Sequence, residues 1–206
     1  MLPFPPLSEL APRLARLLFG LTLFGIGLAL MVVANLGLAP WDVFHQGVAF
    51  RTGISIGNVV IMTGFAVMLM WIPLRERFGI GTVANAIVIG AVLDAALLLL
   101  PETLDAAVLR WGAMLGGIVL VAIGSGFYIG AGLGPGPRDG LMTGLARRGL
   151  SLAWVRAGIE ITALVAGWLL GGTVGVGTVL FAFGMGPLVR FFLDRLSMLP
   201  VSRRTG

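Results

Sequence analysis

The sequence has no cysteine, no lysine, a single histidine (His45) and few charges, with 14 arginines and 9 acidic residues making up 11% of 206 positions. Each shortage removes a class of function. Without thiols there are no disulfides, no thiolate nucleophiles and no Cys-ligated metals. One histidine leaves no His-based metal set, so no metal or other cofactor is expected. The charged fraction is less than half the roughly 25% of a soluble protein, too little to cover a water-exposed fold of this size. A net charge of +5 would suit nucleic acid if it lay on one face, but the arginines fall between apolar runs, which argues against a nucleic-acid partner. What fills the chain is apolar residue, 58% of it. The solvent that fits is lipid.

A hydrocarbon layer about 30 Å thick needs about 20 helical residues to cross it, and uncharged runs of that order recur. Spans are predicted at about 14–35, 55–73, 81–100, 110–131, 152–170 and 176–197, with two shorter helices at about 40–51 and 137–148. Ser55 and Ser151 are placed to cap the second and fifth spans, and Pro101 and Gly171-Gly172 to stop the third and fifth. The first run, 17–41, carries no charge over 25 residues, too long for a signal-peptide core, and is expected to be retained. The whole chain, 1–206, is expected to be one all-α membrane domain.

Arginine placement orients it. Arg13, Arg16, Arg75, Arg77, Arg138, Arg147, Arg148, Arg195, Arg203 and Arg204 fall on one side of the predicted spans, and only Arg51 and Arg110 on the other. Ten against two predicts both termini in the cytoplasm, in a bacterial inner membrane.

The chain also repeats itself. Residues 13–42 align with 110–139 at an offset of 97 without a gap, and 11 of 30 positions are identical, against about three by chance. After one lost residue, 51–94 matches 147–190 at an offset of 96. The repeats, about 13–100 and 110–197, hold three spans each. An odd number inverts the second in the membrane, a recurrent plan of secondary transporters.

Gly37-Leu38-Ala39-Pro40-Trp41-Asp42, its counterpart Gly134-Pro135-Gly136-Pro137-Arg138-Asp139, and the Gly-x-Gly-Thr starts at Gly79 and Gly175 resemble the YczE/YyaS/YitT-type bacterial membrane proteins. The similarity runs over about 13–195 and is nearest the YczE branch. It implies a multi-pass protein of the bacterial cytoplasmic membrane and supplies no substrate or catalytic residues.

Candidate site residues follow from position. At both corners Gly37 and Gly134 permit positive φ, and Pro40 and Pro137 suit a first helical turn. Asp42 and Asp139 then sit at positive helix ends. One reading has these ends facing a cavity that holds a substrate or a proton. The plainer one is a capped turn, duplicated with its parent.

Asp94, Arg156, Glu160 and Arg190 lie inside predicted spans, where a charge near the centre costs roughly 2.5–3.5 kcal/mol and is paired or functional. Arg156 and Glu160 are spaced to pair along one face. Arg190 is expected to reach Asp139, and Asp94 to meet Arg51 or His45. His45 shares a face with Asp42, as a proton relay or as a hydrogen-bonded bystander. The Gly-rich 130–136 segment lacks the Lys-Ser/Thr of a phosphate loop. Gly112/Gly116, Gly126/Gly130 and Gly167/Gly171 fit close helix contact, and the five tryptophans fit an aromatic belt. With no nucleophile–base set, an enzyme is not expected. The leading expectation is a small-molecule secondary transporter or permease, and the alternative a non-transporting scaffold or regulatory protein.

Overall fold

The computed structural model describes residues 7–198, and all of their regular structure is helical. In chain order the helices are α1 (Leu7–Ala34), α2 (Pro40–Thr52), α3 (Ile56–Leu69), α4 (Trp71–Leu74), α5 (Ile80–Leu99), α6 (Ala107–Gly130), α7 (Pro137–Ala146), α8 (Leu152–Leu169) and α9 (Val176–Leu196). Six segments are long and apolar enough to span a bilayer: α1, α3 with α4, α5, α6, α8 and α9. α2 and α7 are the two short helices. Arg203 and Arg204 lie outside the described residues.

Local chemistry sets most boundaries. α1 begins well before the predicted 14, because Glu9 pairs with Arg13 one turn on, at 2.9 Å, and carries the helix past the apolar run. The second span breaks at Met70, three residues before Pro73, which supplies no N–H for an α-helical bond to the Leu69 carbonyl. Ser55 caps α3, its Oγ accepting from the Asn58 N–H. Ser151 stands in the same position before α8, but its side chain makes no capping bond.

α1 and α6 cross antiparallel at the centre. A Cβ on Gly20 would lie 2.7 Å from the Gly124 carbonyl oxygen, and one on Gly27 equally close to that of Gly117. Small residues let the backbones meet this closely. Leu17, Leu21, Met31, Met114, Val121 and Ala122 around the crossing are fully buried. Gly112 and Gly116, expected to pack, face open space, as does Gly171, while Gly126, Gly130 and Gly167 do meet neighbouring helices or chain. Spacing alone does not say which side of a helix meets a neighbour.

The peripheral helices turn large apolar side chains outward, among them Leu98, Leu99 and Phe183, as a lipid-facing surface requires. Trp111, Trp154 and Trp168 are also exposed. Trp71 is not a belt residue: it is 1% exposed, because its indole fills the space that Gly140 leaves.

Contacts at the two ends of the α1/α6 pair come in matched sets. Arg13 donates to the Ala131 carbonyl at the end of α6, and Arg110 to the Ala34 carbonyl at the end of α1. The Gly81 N–H donates to the Leu133 oxygen, and the Gly177 N–H to the Leu36 oxygen. Each residue has its counterpart 96 or 97 positions on.

Candidate functional site

The turns leading to α2 and α7 need glycine: Gly37 has φ 110° and Gly134 φ 128°, a region that L side chains avoid. A Cβ on Gly37 would also lie 2.6 Å from the Gly175 nitrogen. Pro40 and Pro137 then open the helices. The first turns of α2 and α7 meet, with the Arg138 guanidinium 5.7 Å from the centre of the Trp41 ring, within cation–π range.

Two cavities flank this contact. The larger, about 570 Å3, lies between α6, α7, α8 and α9, a size that suits a small-molecule site. Its polar lining includes Arg138, Asp139, Arg156, Glu160, Arg190 and Asp194. The Tyr128 hydroxyl donates to Asp139 at 3.1 Å, and Arg156 Nε donates to Glu160 Oε1 at 2.9 Å. Apolar walls come from Phe24, Phe181 and Met185. The smaller cavity, about 30 Å3, holds Asp42 and His45 and shares Trp41, Asn85 and Arg138 with the larger one. His45 Nδ1 lies 3.2 Å from Asp42 Oδ1.

Behind α7, the Trp71 indole N–H donates to the Pro137 carbonyl at 3.0 Å and fixes where the helix starts. Trp71→Phe removes that donor while keeping an aromatic ring, and should lower stability by about 1–2 kcal/mol. Thermal unfolding of the purified protein in detergent measures this, and an unchanged midpoint would show that the bond contributes nothing.

Comparison with known proteins places the chain. A family of unknown function, DUF6198, matches residues 11–194. The chain belongs to DUF6198. An uncharacterized protein of Haemophilus influenzae is 45% identical over 186 residues, covering 89% of this chain and 84% of the relative. The uncharacterized membrane protein YczE of Bacillus subtilis is 35% identical over 207 residues, covering 96% and 94%. No solved structure matches. With six candidate spans and this family, the chain is a multi-pass membrane protein of the YczE type.

Within this DUF6198 chain, four expected site residues come together in the larger cavity: Asp139, Arg156, Glu160 and Arg190. Two expected partnerships do not form. Arg190 and Asp139, both described, make no ion pair, because Asp139 is turned to Tyr128. Asp94 lines neither cavity and meets neither Arg51 nor His45. It accepts from Ser55 Oγ at 2.5 Å and from the Gly57 N–H at 2.7 Å, since α3 packs directly on α5 there. Asp42 sits in the smaller cavity.

Arg138, Tyr128, Asn85 and Asp194 were not expected at the site. For Arg138 a signal exists in its match to Trp41, and for Asp194 in its position one turn past Arg190. Asn85 and Tyr128 carry none.

Proposed function

We propose that this DUF6198 chain is a small-molecule secondary transporter or permease of the bacterial cytoplasmic membrane, with no catalytic role, both termini cytoplasmic and two halves inverted relative to each other. The single observation that carries the reading is the 570 Å3 cavity with its six charged side chains. Charges inside a membrane protein are costly and face cavities or partners. The antiparallel glycine crossing and the reciprocal Arg13 and Arg110 contacts support inversion, since a two-fold axis between α1 and α6 would generate such pairs.

The two halves are packed differently. α3 lies against α5, whereas their counterparts α8 and α9 barely touch, and the cavity lies between them. A transporter caught open to one side has this asymmetry, and exchanging the two arrangements would open the other side. On the positive-inside argument the open side is cytoplasmic.

The local pairing of Arg156 with Glu160 and of Asp139 with Tyr128 favours a second reading, a scaffold whose charges are satisfied internally. Proteoliposome uptake across a solute panel separates the two. Glu160→Gln weakens the hold on Arg156 and should cut uptake by about tenfold or more, equivalent to one charge-assisted hydrogen bond of about 1.5–3 kcal/mol. Folded protein that takes up no solute in the panel would favour the scaffold.

A further inference from the structure

The small cavity is a site distinct from the one just described. Asp42 and His45 are 4% and 3% exposed, an acid–base pair buried in the protein. A buried pair serving only as a structural strut needs no adjoining space, yet this one borders a cavity of about 30 Å3, room for about two waters at roughly 10–15 Å3 each. Three residues past the matching Asp139, where the second half has the counterpart position, stands Met142. The titratable pair is therefore a feature of one half.

The charged groups that face the pair are few. Asp42 is on the same helix, and Arg138 reaches in from α7. α1, α3 and α5 supply uncharged residues, Leu28, Thr63 and Asn85 among them. α8 packs on α2 through Gly167 against the Phe44 backbone, and its Arg156–Glu160 pair lines the larger cavity.

From this arrangement we infer that Asp42 and His45 form a proton-binding site, and that Arg138 reports its occupancy to the larger cavity; calling that proton the coupling ion rests on the transport reading. With a neutral imidazole, Nδ1–H donates to the Asp42 carboxylate, whose charge Arg138 offsets across the small cavity. A proton arriving through the cavity waters adds at Nε2. The imidazolium then neutralises Asp42, and the electrostatic pull of the small cavity on Arg138 weakens, leaving its contact with the Trp41 ring. Because Arg138 lines both cavities, its guanidinium becomes available to Asp139 or to an anionic group of a bound solute. Loss of the proton restores the first arrangement.

The chain's one histidine makes the test unambiguous. The full-length protein in lipid nanodiscs, labelled with 15N-histidine, is titrated between about pH 4 and 9 by NMR, bracketing the free imidazole value. His45 should titrate. Asp42→Asn should lower the midpoint by about 1–3 pH units, and Arg138→Gln should raise it, as removal of an opposite or a like charge requires. An imidazole that keeps one protonation state throughout, or whose midpoint ignores Arg138→Gln, overturns the proposal.

A second readout follows Arg138. Because cysteine is absent, Ser125→Cys places a lone thiol in the larger cavity. Its labelling rate, normalised to a free thiol, should change at the His45 midpoint and lose that pH dependence in His45→Gln. Identical profiles in the two backgrounds sink the link to the larger cavity. Neither measurement needs a transported solute. Failed uptake with normal titration counts against transport alone, and uptake without titration counts against the proton site alone.

Discussion

Gly124→Leu should abolish recovery of folded protein, while Gly116→Leu, two turns earlier on the same helix, should behave as wild type. At Gly124 a Cβ would stand 2.5 Å from the Gly20 carbonyl oxygen and 2.8 Å from the Phe24 nitrogen. Both are backbone atoms, so no side-chain rotation relieves the clash and α1 and α6 must move apart. Overpacking a core costs typically about 1–3 kcal/mol and more where nothing can give, set against a total stability of about 5–15 kcal/mol. The α1/α6 crossing also anchors α5 and α9, so the loss spreads through the bundle. At Gly116 nothing lies within 4 Å of an added Cβ, and the change should stay within about 0.5 kcal/mol. Size-exclusion profiles and thermal unfolding in detergent compare the two. Equal behaviour would mean that the glycine crossing is not what holds the bundle together.

Asp94→Ala should loosen the seam between α3 and α5 and leave the opposite half as it is. The Asp94 carboxylate accepts from Ser55 Oγ and from the Gly57 N–H, and α3 approaches α5 so closely that Gly57 and Gly90 meet through their backbones. Hydrogen bonds to a charged group contribute about 1.5–3 kcal/mol each, so losing both should speed amide exchange in the first turn of α3 by roughly a hundredfold or more. The counterparts of Asp94, Gly57 and Gly90 are Arg190, Ala153 and Gly186. Arginine cannot accept a hydrogen bond, and the Ala153 methyl stands where the first half has none. Arg190→Ala should therefore leave exchange at the start of α8 unchanged. Hydrogen–deuterium exchange in nanodiscs reads both. Unaltered exchange in Asp94→Ala would show that the carboxylate does not hold the first half shut.

The same residues show why part of the site was legible beforehand. Arg156 and Glu160 were readable as a pair because four-residue spacing on one helix fixes their separation, and Asp42 and His45 because three-residue spacing does the same. Arg190 with Asp139 is a contact between α9 and α7, where depth in the membrane constrains height but not rotation. The position of Asp94 along α5 is legible in the sequence, but its partners depend on which face of α5 meets α3. Arg138 was counted only as a loop charge, because no rule of spacing places the first turn of α7 against that of α2.

The amino-acid sequence alone determined that this chain lives in lipid, how many times it can cross and, the early start of α1 apart, where the spanning helices begin and end to within a few residues. Those properties follow from hydropathy, chain length and backbone chemistry, all of which act along the chain. Only the tertiary structure decided which glycines meet, that Trp71 is buried beneath α7 rather than lying at an interface, that Asp94 serves as a clasp, and that the ionisable residues converge between α8 and α9. Those depend on the rotation of each helix about its axis. In a bilayer, where nearly every face is apolar, the sequence pattern says little about that rotation, and close packing between helices sets it.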